Sequence, residues 1–192
     1  MSNDVRRMMT TPLSDSDLKK ILGDDIKIII YSSLSNISNL RDILTKDRDC
    51  MVILYEQKRL SGHWTCLTRE GDIFTFFDPY GIAPDNELKW LNMAQRYKLH
   101  EDVPYLSNLL NSEQYVYNKI DFQQNDSRIE TCGDHVCSFL YHFLNENMDL
   151  KQYQEYMKDL KKRMGQPYDY IVADFILREF NNEISTKCSR VS

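Results

Sequence analysis

The chain has 192 residues, of which 42% are hydrophobic and 28% charged, with a formal net charge of −5. This length predicts one domain with room for a substantial hydrophobic core. The negative charge argues against nucleic acid as the main ligand, because phosphate contacts need clustered lysine and arginine. We therefore expect no requirement for nucleic acid.

The N-terminal region and the cysteines indicate the compartment in which the chain works. Residues 1–12 are polar and lack the apolar core of a secretory signal, and no apolar run has the length of a membrane span. An odd number of cysteines in a chain of this length predicts free thiols in a reducing compartment. The five cysteines are Cys50, Cys66, Cys132, Cys137 and Cys188. None forms a Cys-x-x-Cys pair, so we expect no metal and no other cofactor.

Hydrophobic periodicity and turn residues predict strands in the middle of the chain and helices at both ends. A flexible lead at residues 1–12 precedes a short helix that Ser14 or Asp15 caps and Gly23 ends. The predicted strands are residues 28–31, 51–55, 63–68, 73–78 and 114–122. The further predicted helices are residues 39–44, 86–91, 104–110, 132–144, 150–164 and 168–180. This order predicts a single domain of the α+β class.

A cysteine opens the most apolar of these helices. Apolar residues recur with helical spacing from Val136 to Leu144, and Cys132 lies four residues before Val136, on the same inward face. A thiol at the start of a helix meets the positive end of the helix dipole, which favours the thiolate. Cys132 is therefore a candidate nucleophile, although a buried cysteine alone is more typical of a core.

The hairpin of residues 63–78 offers a base and an acid. If Glu70 and Gly71 form a two-residue loop, His63 faces Asp78 directly across the strands. The carboxylate would then fix the tautomer of the imidazole and stabilise its protonated form. His135, three residues after Cys132, is a rival base whose only evident carboxylate partner is the adjacent Asp134.

An oxyanion intermediate needs hydrogen-bond donors near the nucleophile. The backbone N–H of Cys132 is one candidate. A side-chain amide from Gln123 or Gln124, at the start of the loop before the helix, is another. Each of these residues alone is typical of a core or a solvated loop, and only their joint occurrence in this order points to catalysis.

Together these residues resemble a known family. The motifs are His-Trp at 63–64, Asp-Pro-Tyr-Gly at 78–81 after a phenylalanine-rich strand, and Thr-Cys-Gly at 131–133. They resemble the adenain and SUMO-protease superfamily of cysteine proteases, which includes adenovirus-type maturation proteases and relatives in large DNA viruses and virophages. The resemblance covers about residues 50–145, which would form the catalytic core, followed by C-terminal helices at 150–180.

The resemblance implies a role for each matching residue. His63 would be the general base, Asp78 its orienting acid and Cys132 the nucleophile, with Trp64 packed beside the imidazole. The implied fold is papain-like or adenain-like, with a central mixed sheet flanked by helices. The oxyanion glutamine lies closer to the cysteine in many relatives, so both Gln123 and Gln124 stay open; we favour the former because it directly follows the strand ending at residue 122.

The resemblance also implies a substrate. Such enzymes cut peptide or isopeptide bonds after glycine, so we expect a protein substrate with glycine-containing cleavage sites, and an activating peptide is possible. The compact size favours a viral enzyme that processes capsid or other structural precursors during virion maturation, located in the virion or the cytoplasm of the host cell. The alternatives are a deSUMOylase or deubiquitinase of the same chemistry and a catalytically silent structural component.

Overall fold

The fold comes from a computed structural model that describes residues 2–184. Within this range the α-helices are α1 (Asn3–Met9), α2 (Asp15–Leu22), α3 (Met93–Leu99), α4 (Tyr105–Leu110), α5 (Cys132–Asn145), α6 (Leu150–Met164) and α7 (Tyr168–Ile184). Short 3-10 helices cover Tyr31–Asn36, Leu40–Asp42 and Asn86–Trp90. The strands are β1 (Lys27–Ile30), β2 (Arg48–Lys58), β3 (Ser61–Glu70), β4 (Ile73–Phe77) and β5 (Gln114–Tyr117).

Contacts divide the chain into two compact units. Residues 27–121 form one, which we call the sheet unit, and the chain on either side of them forms the other, which we call the helix unit. The expectation of a single domain stays a prediction. Cys188, which was predicted to be a free thiol, lies outside the described residues. None of the helices within the described residues is long and apolar enough to cross a bilayer.

The sheet unit contains five strands that lie side by side in sequence order. The two outer pairs, β1 with β2 and β4 with β5, are parallel, and the inner pairs are antiparallel. The sheet is therefore mixed, which confirms the predicted α+β class and mixed sheet. A buried cluster joins one sheet face to helical segments of this unit. Its members are Tyr31, Leu34, Leu40, Leu44, Met51, Ile53, Tyr55, Leu67, Phe74, Phe76, Leu88, Leu106 and Leu110.

The helix unit is built around α5. This helix contacts α2, α6 and α7, while α1 contacts α7. Every residue from Cys132 to Leu140 is buried. The apolar stripe predicted burial of one face of this helix, and the structure buries its other faces there as well. The helix predicted at residues 150–164 has the same bounds in the structure, because Asp149 and Gln152 form a capping box at its start and Gly165 ends it with a φ of 62°.

Residues 1–12 are not the flexible lead that their polar sequence predicted. They contain α1, whose first turn is capped by the Ser2 hydroxyl, which accepts a hydrogen bond from the backbone N–H of Val5. Val5, Met8 and Met9 are buried. Their spacing of three and four residues is the helical signal that the polar composition concealed.

The strand predicted at residues 114–122 ends early, at Tyr117. The side-chain amide of Asn118 is buried and donates hydrogen bonds to the backbone carbonyls of Asp78 and Ile120, each at 2.8 Å. A side chain thus binds the backbone on both sides of the point where the chain leaves the sheet.

The hairpin loop also differs from the prediction. It consists of Gly71 and Asp72, because Glu70 pairs with Ile73, so the predicted loop of Glu70 and Gly71 is wrong. Gly71 has a φ of 58°, the left-handed conformation that the first position of a tight hairpin loop favours. The turn chemistry therefore selects the position of glycine within the loop.

This correction moves the pairing of β3 with β4 by two residues. Leu67 pairs with Phe76, and extending the ladder makes His63 and Asp78 diagonal neighbours instead of direct partners. Because side chains alternate along a strand, a shift of two residues keeps each of them on the same face. The predicted pair therefore survives the error in register, since diagonal neighbours still lie within reach of long side chains.

A turn of four residues, Asp78 to Gly81, follows β4. The backbone N–H of Gly81 donates to the carbonyl of Asp78 at 2.9 Å. Gly81 has a φ of 69°, and a Cβ there would lie 2.6 Å from the carbonyl oxygen of Ile120. Glycine is therefore required twice, by the backbone conformation and by the close approach of the neighbouring chain.

We predict that Gly81→Ala destabilises the chain more than Gly71→Ala. Both glycines have left-handed backbones, which cost alanine about 1 kcal/mol, but nothing lies within 4 Å of a Cβ at Gly71. The clash at Gly81 should add about 1–3 kcal/mol. Urea unfolding of the two variants measures the difference, and equal losses of stability would contradict the account of this turn.

Candidate active site

One group of the candidate residues lies in the sheet unit, where β3 begins and β4 ends. His63 Nε2 lies 3.1 Å from Asp78 Oδ1, and the two side chains are 4% and 0% exposed. The backbone N–H of Tyr80 donates to the same carboxylate oxygen at 2.7 Å. With Asp78 ionised, the imidazole donates from Nε2, which assigns any role as a base to Nδ1.

The electrostatics of this pair keep the carboxylate charged. Burial raises the pKa of Asp78, but the charge and hydrogen bond of His63 lower it, and the neighbouring Glu87 side chain and the backbone N–H of Tyr80 act in the same direction. The net result is a pKa below the usual value. The ionised carboxylate favours the protonated imidazole, as the orienting role of an acid in a catalytic triad requires.

Three further side chains lie around the imidazole, and the sequence predicted a site role for none of them. The ring of Tyr80 stacks on that of His63 with centroids 4.8 Å apart, and the ring of Trp90 meets it edge-on at 5.6 Å. Glu87 Oε1 lies 3.6 Å from His63 Nε2. Glu87 and Trp90 are three residues apart in a 3-10 helix, so they share one face. Trp64 is buried in β3, and its predicted packing beside the imidazole stays a prediction.

The same place has donors suited to a metal ion. One ligand atom from each of His63, Asp78 and Glu87 lies within 4.8 Å of the other two, and all three residues are buried. A hydrogen-bonded imidazole and two carboxyl groups explain this proximity without an ion. The expected absence of a metal stays a prediction.

Cys132 lies in the helix unit as the first residue of α5 and is 5% exposed. The predicted position at a helix start is confirmed, while its role as a nucleophile stays a prediction. The next residue is glycine for a steric reason, because a Cβ at Gly133 would lie 2.9 Å from the Cβ of Leu13. The first turn of α5 is therefore packed tightly against the segment that precedes α2.

Two other thiols are poor nucleophiles. Burial, aided by the charge of Asp49, raises the pKa of Cys50 to about 12. Burial together with the charge of Asp134 raises the pKa of Cys137 well above its usual value. Both thiols therefore stay protonated at neutral pH, and a protonated thiol is unreactive.

The two candidate glutamines differ in their surroundings. Gln123 is 2% exposed, and its Nε2 donates to the carbonyl of Ile129 at 3.4 Å. The side chain of Gln124 is exposed. Only the former is held inside the fold, which supports Gln123 as the amide donor, and its function as such stays a prediction.

Asp169 fixes both ends of the loop that joins these glutamines to Cys132. Its carboxylate accepts a hydrogen bond from the backbone N–H of Gln124 at 3.1 Å and another from the hydroxyl of Thr131. It also lies 3.1 Å from His135 Nε2, on α5. No local sequence pattern indicated this residue, because it lies in α7, 38 residues after Thr131.

The network around Asp169 explains His135, the rival base. Burial raises the pKa of Asp169, but the hydrogen bond and charge of His135 and the bonds from Thr131 and Gln124 bring it below its usual value. The carboxylate partner of His135 is thus Asp169 and not the adjacent Asp134. Both members of the pair are 0% exposed and join the loop to two helices, which is a structural arrangement.

Comparisons with known proteins place the chain in a family. No family model matches it. The uncharacterized protein V9 of Sputnik virophage is 33% identical over 151 residues, which cover 77% of this chain and 84% of V9. The chain belongs to the V9 family. This V9-family chain therefore has a relative in a virophage, and the name of that relative states no activity.

The comparison with solved structures found similarity to two further proteins. The central domain of the uncharacterized Lpg1148 protein from Legionella pneumophila has a TM-score of 0.45 and 16% identity, over 87% of the V9-family chain and 97% of that domain. The SUMO protease Ulp1 has a TM-score of 0.40 and 15% identity, over 91% of this chain and 83% of Ulp1. At these values neither likeness decides an activity.

We predict that Asp169→Asn destabilises the V9-family chain by about 2 kcal/mol, because the loop and helix donors lose a charged acceptor. The matched control on the same helix is Asp174→Asn, which removes an ion pair with Arg178 and should cost about 0.5 kcal/mol or less. Because the pKa of Asp169 is lowered in the fold, its contribution is present above pH 3.8 and fades as the pH falls.

Thermal unfolding across the acid range measures both effects. The difference in stability between the parent chain and Asp169→Asn should shrink as the pH is lowered toward 3. A cost no larger than that of Asp174→Asn, or a difference that does not vary with pH, would show that Asp169 does not hold the loop.

Proposed function

We propose that this chain is a cysteine endopeptidase in which Cys132 is the nucleophile, His63 the general base and acid, and Asp78 the residue that orients His63. The observation that carries the proposal is the buried hydrogen bond between His63 Nε2 and Asp78 Oδ1. A carboxylate in this position fixes the tautomer in which Nδ1 exchanges protons. The position of Cys132 at a helix start supports a reactive thiolate.

The proposed reaction has two halves. The Cys132 sulfur bonds to the carbonyl carbon of the scissile peptide, and the carbon–nitrogen bond breaks as His63 gives its proton to the departing amine. Water then attacks the thioester while His63 takes one of its protons, the carbon–sulfur bond breaks, and the carboxylic acid leaves. The backbone N–H of Cys132 and the amide of Gln123 would stabilise the oxyanion in both halves.

The proposed substrates are protein precursors cut after glycine. Membership in a family with a virophage protein supports a viral setting, and the resemblance to adenain-like proteases supports processing of capsid or other structural proteins during virion maturation. An activating peptide would fit the same resemblance, and the net charge of −5 argues against an activating nucleic acid. Ubiquitin-like conjugates are the competing substrate class.

Quenched fluorescent peptides with Gly-Gly and Gly-X-Gly sites test this proposal, and fluorogenic ubiquitin and SUMO serve as the competing substrates. We expect cleavage of the peptides by the parent chain. Strong cleavage of the ubiquitin-like substrates with none of the peptides would identify a deubiquitinase or deSUMOylase instead. No cleavage of either class, with no thiol of enhanced reactivity, would identify a structural component.

Substitutions assign the roles. We predict that Cys132→Ala and His63→Ala lower kcat by about 1,000-fold or more, while Asp78→Asn costs less, because the nucleophile and the base themselves are both kept. Cys50→Ala, at a buried thiol of the sheet unit, should keep most of the activity. Full activity in Cys132→Ala would exclude the proposed mechanism.

A further inference from the structure

Glu87 is an acidic residue that no motif assigned to the site. Its side chain is 3% exposed, and Oε1 lies 3.6 Å from His63 Nε2, which is too long for a hydrogen bond. A carboxyl oxygen of Glu87 lies within 4.8 Å of one of Asp78, and Asp78 Oδ2 is a buried acceptor with no hydrogen-bond donor among the described residues. Two buried carboxyl groups thus lie close together beside one imidazole.

A hydrogen bond can form between two such carboxyl groups only where one of them carries a proton. Like charges in contact in a buried site do not both persist, so the question is which residue keeps the charge. Asp78 Oδ1 already accepts from the backbone of Tyr80 and faces His63 Nε2. These donors favour a charged Asp78, and the proton therefore resides on Glu87.

The fold places Glu87 there by a separate network. Asp85 has a left-handed backbone with a φ of 65°, directly before the 3-10 helix that carries Glu87. Its carboxylate accepts from the hydroxyls of Tyr31 at 2.7 Å and Tyr55 at 3.1 Å, and from the backbone N–H of Ser107 at 2.7 Å. The start of this short helix is therefore fixed against β2 and α4.

We propose that Glu87 is a positioning residue that donates a hydrogen bond from its protonated carboxyl group to Asp78 and thereby holds Asp78 ionised toward His63. The consequence for cleavage rests on the proposed function, whereas the hydrogen bond itself does not. The titratable groups that face the pair are the imidazole of His63 and the phenol of Tyr80, whose ring stacks on it. The ring of Trp90, which also meets the imidazole, does not titrate.

Two variants separate the hydrogen bond from the volume of the side chain. Glu87→Gln keeps a donor of the same shape, and Glu87→Met fills the space without one. Glu101→Gln is the control, because Glu101 is also buried in the sheet unit but accepts from the backbone of Glu56. Should Glu87→Met fail to fold by circular dichroism, Glu87→Ala replaces it.

The first readout needs no cleavage. In a Cys132→Ala background, proton NMR follows the low-field signal of the His63 Nε2–H in each variant. We expect the signal to persist in Glu87→Gln and Glu101→Gln, and to move upfield or broaden in Glu87→Met. An unchanged signal in Glu87→Met would overturn the proposal, whether or not the chain proves to be a protease.

The second readout is the pH profile of peptide cleavage. We expect Glu87→Met to lower kcat by about 10- to 100-fold with KM within about threefold, and to move the acid limb of the profile up by about one pH unit, because Asp78 loses a donor and is protonated more easily. Glu87→Gln should stay within about threefold of the parent chain. Equal profiles for Glu87→Met and the parent chain would contradict the positioning role.

Discussion

The hydrogen bond between His63 and Asp78 determines what the rest of the sheet unit must supply. A buried carboxylate costs on the order of several kcal/mol unless charge and hydrogen bonds compensate. Here the imidazole, a backbone N–H and a second carboxyl group all contribute to that compensation. The turn after β4 and the side-chain amide of Asn118 both hydrogen bond to the backbone carbonyl of Asp78, so they fix the position of this acid.

The helix unit contains a second buried pair of histidine and aspartate, His135 with Asp169, and its surroundings differ from those of the first. Around His63 the partners are rings and a further acid, which shape the surroundings of one imidazole. Around Asp169 the partners are the two ends of a loop and a helix, so the carboxylate joins segments of the chain. The same pair of residue types thus has two different kinds of surroundings, and only the pair at His63 has the part in catalysis that we propose.

Much of this arrangement was predictable from local patterns. Periodicity found the helix Leu150–Met164, and alternation placed His63 and Asp78 on one face even though the predicted loop was wrong. The roles of Glu87 and Asp169 were not predictable, because the sequence does not show which residues they contact in the fold. It also does not distinguish a buried acidic residue from an exposed one. Apolar periodicity reports which side of an element is buried, but not which polar groups meet there.

The pH dependence of Cys132 alkylation by iodoacetamide tests most directly the central proposal, that His63 acts as the base for Cys132. Cys132 should react near neutral pH, well before the buried Cys50 and Cys137. In His63→Ala the rate of its reaction at pH 6 should be at least about tenfold lower, because the thiol has lost its base. Superimposable profiles of the parent chain and His63→Ala would contradict the account.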